Sequence, residues 1–379
     1  MAAETITVYF WDDPSIKPLV EAFNKAQTKI VVDMKILPSA DYETKLTTLL
    51  AAGTEMDAYF QKRQADMFAQ NENGFIEPLD AYFAKTKLDR KAVDAYKDAV
   101  IVDGKILGVP FRGASYYTYY NKKVFEKAGV PTPDTFVKKG EWTWAKYQEI
   151  AKKLATGDGK VYGALQYTWG PQMMIPALQK GNSLISRDGK LTLDPVVYQG
   201  LKMRKELEST KAMMSLLDLK ITKTHYSKAF FDGNLGMLII GEWFPGMLQK
   251  ADVDKTMVGF TAADWAITRL PCDNKEYTSF GNPTFTHVAA RSKHKDAAFA
   301  FVQWLGSAAG AQAVANVGLL PATITPEVKA ILGKTILDPG SLEYFTETKR
   351  VMPQLMNKYG SQVEAVINKF ADEYVAGQR

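Results

Sequence analysis

The sequence predicts an α/β protein of two lobes with mostly parallel sheets. Three observations lead there. From the first residues onward, strand-like apolar segments alternate with helix-period ones, the order that sets helices on the faces of a parallel sheet. The chain has 379 residues, more than one ordinary core organises and enough for two domains of common size. It is 46% hydrophobic and 23% charged, a globular balance, neither disordered nor membranous.

The elements follow in order. Residues 6–11, ITVYFW, read as an apolar strand. Ile16, Leu19, Val20 and Phe23 then fall on one helical face. Val32, Met34 and Ile36 alternate with Asp33 and Lys35, a half-buried strand. Asp41 is placed to cap a helix burying Tyr42, Leu46, Leu49 and Leu50, and MDAYF is the next short strand. Residues 108–133 read as a Gly-Val-Pro turn, an aromatic strand over 115–120 and a short helix. Asn121 suits its N-cap, Val124, Phe125 and Ala128 share one face, and Gly129 suits its C-cap. Pro131 and Pro133 stop it. Trp144, Tyr147, Ala151 and Leu154 form an apolar stripe after Thr143. The pairs Asp158-Gly159 and Asp188-Gly189 mark turns. LGMLIIG, WAIT and THVAAR read as strands, the last followed by a helix with Ala298, Phe301, Val302 and Leu305 on one face. The last fifty residues are polar-periodic and helical. There is no internal repeat and no flexible linker, which suggests that the chain crosses between lobes more than once.

Composition narrows the function. The longest candidate span, 235–240, falls far short of the roughly 18 apolar residues that cross a bilayer. The net charge of +5 is mild, and no block of five Lys/Arg residues suggests a nucleic-acid partner. A single cysteine, Cys272 in a polar loop, cannot form an internal disulfide. The opening residues carry no signal-peptide pattern, which fits either a cytosolic protein or one whose leader has been removed. Phosphate-loop, dinucleotide, nucleophile-elbow and zincin motifs are all absent. His225, His287 and His294 are scattered, so no metal and no cofactor is expected. No catalytic residue is assigned. Carboxylates are plentiful, but a glycosidase pair is defined by distance across a cleft. Adjacent Asp12 and Asp13 make a poor opposed acid and base. A cleft glycoside hydrolase stays as the enzymatic alternative.

Aromatic residues carry the positive signal. A sugar ring has apolar C–H faces and a polar rim, so its site wants flat rings with hydrogen-bonding groups beside them. Trp11 ends a predicted strand, Trp169 and Trp243 each follow one, and in open α/β sheets ligands bind beyond the carboxyl ends of strands. Trp265, Trp142, Trp144 and Trp304 read as core.

Taken as strings, several segments resemble the extracellular solute-binding proteins of ABC importers (family 1, the maltose-binding-protein-like carbohydrate binders). GVPFRGASYYTYYNKKVFEKAGVPTP is similar to that family's turn, strand end and F-x-x-A-G-V-P helix. FDGNLGMLIIGEWFPGML resembles its F-x-x-G-x-x-A-M…W segment, with Gly236-Met237 where Ala-Met is usual. SFGNPTFTHVAARSKHKDAAFAFVQWLGS…GLLPA resembles its return strand, helix cap and terminal G-x-x-P. YFQKRQADMFAQNENGFIEPLD resembles its loop and helix after the third strand.

The resemblance implies a periplasmic-binding-protein-like fold of two lobes joined by a multi-strand hinge. It implies discontinuous lobes, residues 1–112 with 282–322 and residues 113–281 with 323–379. Trp243, with Glu242 beside it, maps onto the tryptophan that stacks on sugar in that family. Gln61, Lys62 and Arg63 would face the ligand cleft, Arg112 would follow a ligand-contacting turn, and Gly281 and Asn282 would lie near the second crossover. Trp11, Asp12, Asp13, Tyr116, Trp169 and Gln172 complete the expected ligand-binding set. The implied partners are a carbohydrate, with several aromatic platforms favouring an oligosaccharide, and the transmembrane subunits of an ABC permease. The protein would be a monomer outside the cytoplasmic membrane, in the periplasm or held at the cell surface as a lipoprotein. Lys62 and Arg63 stand where small or acidic residues are common, which leaves an acidic sugar or a non-sugar solute open.

Overall fold

A computed structural model describes residues 3–113, 115–181, 185–186, 189–190, 195–274, 276–347, 351–352 and 357–378. The turn expected at Asp188-Gly189 therefore lies partly outside the described residues. The chain divides into two units, Met1–Ala114 with Asn282–Ile331 and Ser115–Gly281 with Leu332–Arg379. It begins in the first with β1 (Glu4–Trp11), β2 (Ile30–Leu37), β3 (Ala58–Gln61), β4 (Ile101–Val102), β5 (Lys105–Ile106) and β6 (Val109–Arg112). The second holds β7 (Tyr116–Asn121), β8 (Tyr162–Gln166), β9 (Leu235–Gly241), β10 (Trp265–Thr268) and β11 (Ser279–Phe280). The chain returns for β12 (Thr284–Val288) and ends in the second unit with β13 (Val351–Met352).

The first unit has a sheet of order β2-β1-β3-β12-β6. β1 runs parallel to β2 and β3, while β12 is antiparallel to both of its neighbours. The second unit has a sheet of order β10-β7-β9-β8, where β8 and β9 are parallel and β7 runs against β9 and β10. Each sheet is thus parallel but for one strand. In both cases that strand is the first the chain lays down after entering the unit.

Local sequence accounts for most of the elements. Ile16, Leu19, Val20 and Phe23 are all buried by the helix Ile16–Ala26. Phe23 meets Phe301 edge-on at 5.0 Å, joining that helix to Lys295–Gly306, which buries Ala298, Phe301, Val302 and Leu305. In the second unit Asn121 Oδ1 accepts from the Lys123 N–H at 3.0 Å, and Gly129 ends the helix at φ 66°. The Thr143 hydroxyl accepts from the Lys146 N–H at 3.1 Å. Trp142 and Trp144 are core residues with satisfied ring N–H groups, donating to the Arg269 carbonyl and to Gln179 Oε1, each at 2.9 Å. Trp265 is also buried.

Four expectations need correction. Asp41 makes no side-chain cap, because the chain approaches its helix through the 3₁₀ turn Ser39–Asp41. Ile36 is 53% exposed, since β2 is an edge strand. Cys272 is buried, with its backbone N–H on the Trp142 carbonyl at 3.0 Å. Residues 323–331, expected in the second lobe, group with the first unit. Ala322 donates to the Phe111 carbonyl, Arg112 bridges to Pro321, and the helix Pro326–Leu332 follows directly with Val328 buried. The chain therefore leaves at the end of that helix, after Ile331.

Candidate carbohydrate-binding surfaces

In the first unit, β1, β3 and β6 end on Trp11, Gln61 and Arg112, so the expected residues gather beyond the carboxyl ends of these strands. Trp11 is not an open platform. It is 6% exposed and meets Tyr42 and Phe60 edge-on at 5.5 and 6.2 Å. Its ring N–H donates to Asp13 Oδ2 at 3.2 Å. The Lys62 ammonium lies over its face, 5.0 Å from the ring centroid, and 5.4 Å from that of Tyr42. Lys62 also donates to the Ser39 carbonyl and hydroxyl at 3.0 and 3.2 Å. Burial lowers the Lys62 pKa, opposed by the Glu43 carboxylate at 3.9 Å.

Every cation here has a carboxylate at hand. Arg112, buried, stands 3.6 Å from Asp13, and Arg63 donates to Asp66 at 2.7 Å. Asp13 also accepts from the Ser15 N–H and hydroxyl at 2.9 and 2.6 Å. Gln61 is fully buried rather than facing outward. Its amide donates to the Arg63 carbonyl at 3.1 Å, which shapes the turn carrying Lys62. Asp12 is exposed.

The second unit gathers an aromatic surface. Trp169, 37% exposed, lies 6.0 Å from Trp243. Tyr116 meets Trp243 edge-on at 5.5 Å and stacks on Phe280 at 4.3 Å. The Trp243 ring N–H donates to the Tyr226 hydroxyl at 2.8 Å. The indole also lies against Gly241: a Cβ there would come within 2.1 Å of the ring, so only glycine permits this pose. Gln172 is fully buried and accepts from the Tyr167 N–H at 2.5 Å, holding the loop that carries Trp169. Glu242 is also buried. Gly281 (φ 139°) and Asn282 stand on either side of the chain's return to the first unit.

Sequence reasoning missed Tyr167, Tyr226 and His225. Tyr167 contacts Trp169 at 5.1 Å and Tyr226 at 5.0 Å, and the His225 and Tyr226 rings are 4.0 Å apart. Tyr167 was within reach, two residues before Trp169. Nothing local marks Tyr226, which arrives on the separate helix Tyr226–Phe231. Burial lowers the His225 pKa. His287 is core, with Nδ1 2.6 Å from the Leu107 carbonyl, and His294 pairs at the surface with Glu4. No group of metal-ligating side chains occurs among the described residues. Flat rings beside hydroxyl, amide and carboxylate groups can hold a ring with one apolar and one polar aspect.

Comparison with known proteins bears on these surfaces. Residues 12–312 match the family described as bacterial extracellular solute-binding protein. A lactose-binding protein of Rhizobium radiobacter is 24% identical over 313 residues, 79% of this chain and 70% of that one. A binding protein of Brucella abortus is 24% identical over 250 residues, and the match spans 56% of its length. Among solved structures, a sugar transporter from Rhizobium etli in an open conformation aligns with TM-score 0.81 at 29% identity, covering 100% of this chain and 96% of that one. An ABC substrate-binding protein of Listeria monocytogenes in complex with cycloalternan aligns with TM-score 0.83 at 26% identity, covering 100% and 95%.

Proposed function

The chain belongs to the bacterial extracellular solute-binding protein family, and from that premise we propose that it captures an oligosaccharide for an ABC importer. In this reading the sugar is held between the two lobes, hinge closure traps it, and the loaded protein delivers it to a membrane permease. The protein acts as a monomer outside the cytoplasmic membrane, by binding rather than catalysis. No described helix is long and apolar enough to cross a membrane.

The observation that carries the reading is the aromatic surface of the second unit, where Trp169 is exposed beside Trp243 and Tyr116. Closely set rings, one exposed and two half-buried, suit the C–H faces of successive sugar units. The charges of the first unit favour a neutral ligand. Arg112, Lys62 and Arg63 stand beside Asp13, Glu43 and Asp66, so an incoming carboxylate would compete with carboxylates already in place. Relatives fit as well: one is named for lactose, and one structure holds cycloalternan.

Native mass spectrometry of the purified protein tests the ligand class. The expected adduct has the mass of a neutral oligosaccharide and is released intact. A uronate-bearing adduct would move the ligand to acidic sugars, and a non-carbohydrate adduct would overturn the proposal.

A further inference from the structure

Beneath the loop that carries Trp169 lies a group of fully buried polar side chains: Tyr147, Gln166, Gln172 and Arg204. They converge from four elements. Gln166 ends β8 and Tyr147 lies on the helix Trp144–Leu154. Gln172 sits in the turn Gly170–Met173, and Arg204 on the helix Gln199–Ser209. Arg204 Nη1 donates to the Gln166 and Tyr167 carbonyls at 2.8 and 3.2 Å, and its Nε to Glu208 at 2.5 Å. Gln172 Oε1 takes the Tyr167 N–H. In the sheet Gln166 stands opposite Ile239, which shares a core with Tyr147. Arg204 is close enough to Tyr147 to oppose the rise in pKa that burial imposes on its hydroxyl.

Within this group Tyr147 Oη, both amide atoms of Gln166, Gln172 Nε2 and Arg204 Nη2 have no protein partner. Three of these atoms are nitrogens that only donate, each with two hydrogens, against two oxygens able to accept. No rotation of these side chains pairs every hydrogen, because the hydrogens on the five atoms outnumber the lone pairs on the two oxygens. Buried polar groups in native proteins find partners, which calls for a further acceptor beside these side chains. A small anion fits poorly, since Glu208 already balances Arg204. A water oxygen accepts two hydrogen bonds and donates two, and buried waters settle where several polar groups converge.

We propose that these side chains enclose an internal hydration site, holding about two ordered water molecules bonded to Gln166, Tyr147, Gln172 and Arg204. Its roof is the 166–167 backbone, so the waters belong to the support of the Trp169 loop. The inference rests on this geometry alone and stands whichever ligand the protein carries.

A high-resolution crystal structure of the full chain, with a second crystal soaked in bromide, tests it. The expected result is water density within hydrogen-bonding distance of at least two of the five atoms, with no anomalous bromide peak there. A bromide peak at the site would overturn the proposal in favour of an anion site. Side chains repacked outward to solvent, or a site without density, would overturn it outright.

Discussion

Among its neighbours, Trp243 is positioned by the Tyr226 hydroxyl that takes its ring N–H and by the bare α-carbon of Gly241. If the ring is a sugar platform, Trp243→Ala should weaken binding by about 1–3 kcal/mol through lost apolar contact, with little change in melting temperature. Calorimetry showing normal affinity and a strongly lowered melting temperature would make it a packing residue instead. Gly241→Ala should push the ring aside and cost affinity on a similar scale, yet add little in a Trp243→Ala background. Full additivity of the two losses would show that Gly241 does not act through the indole. At this scale the sequence was only partly legible. The tryptophan at the end of β9 could be picked out because the strand and its end are local features. Trp11 ends a strand in the same way, but Lys62 reaches over it from the end of β3, 51 residues on, and Tyr42 packs against its edge. Spacing along one segment does not reveal a cover supplied by another.

Among the elements, β12 carries a buried titratable group into the centre of the first sheet. Burial holds the His287 pKa down at about 4, against an ordinary 6.5, with only the Leu107 carbonyl opposing it. As pH falls below 6.5 the unfolded chain takes up this proton before the folded one does. Stability from His287 is therefore complete above about pH 6.5 and lost on the way down to pH 4, at most about 3 kcal/mol. Urea unfolding at pH 7 and 4.5 should show a smaller pH dependence for His287→Gln than for the unaltered protein. Equal dependences would mean that the imidazole takes up its proton alike in the folded and unfolded chain. Elements were read best where their signals are local. Asn121, Thr143 and Gly129 cap as expected because caps are made by neighbours in sequence. Asp41 looked equivalent, but the 3₁₀ turn before its helix turns the side chain away from that task. The reversal of β7 and β12 within otherwise parallel sheets left no periodic signal, because an apolar strand reads alike in either direction.

For the whole molecule, the chain passes between units three times, after residues 114, 281 and 331. The sequence expectation placed the last passage at 322, because the terminal G-x-x-P string looked like an ending while the helix after it carries no sign of which unit it joins. Under the proposed hinge closure, small-angle scattering should show a smaller radius of gyration when sugar saturates the protein. An unchanged profile would argue for a rigid binder. Capture without chemistry also predicts that oligosaccharides incubated with the protein stay intact, and reducing ends released in proportion to protein would make it a hydrolase. The most direct test of the central claim is calorimetric titration against a neutral sugar series of one to five units. With Tyr116, Trp169 and Trp243 as platforms for successive sugar units, affinity should rise beyond the first unit and then level off. Tightest binding to the single unit, or no binding to any member, would contradict the account.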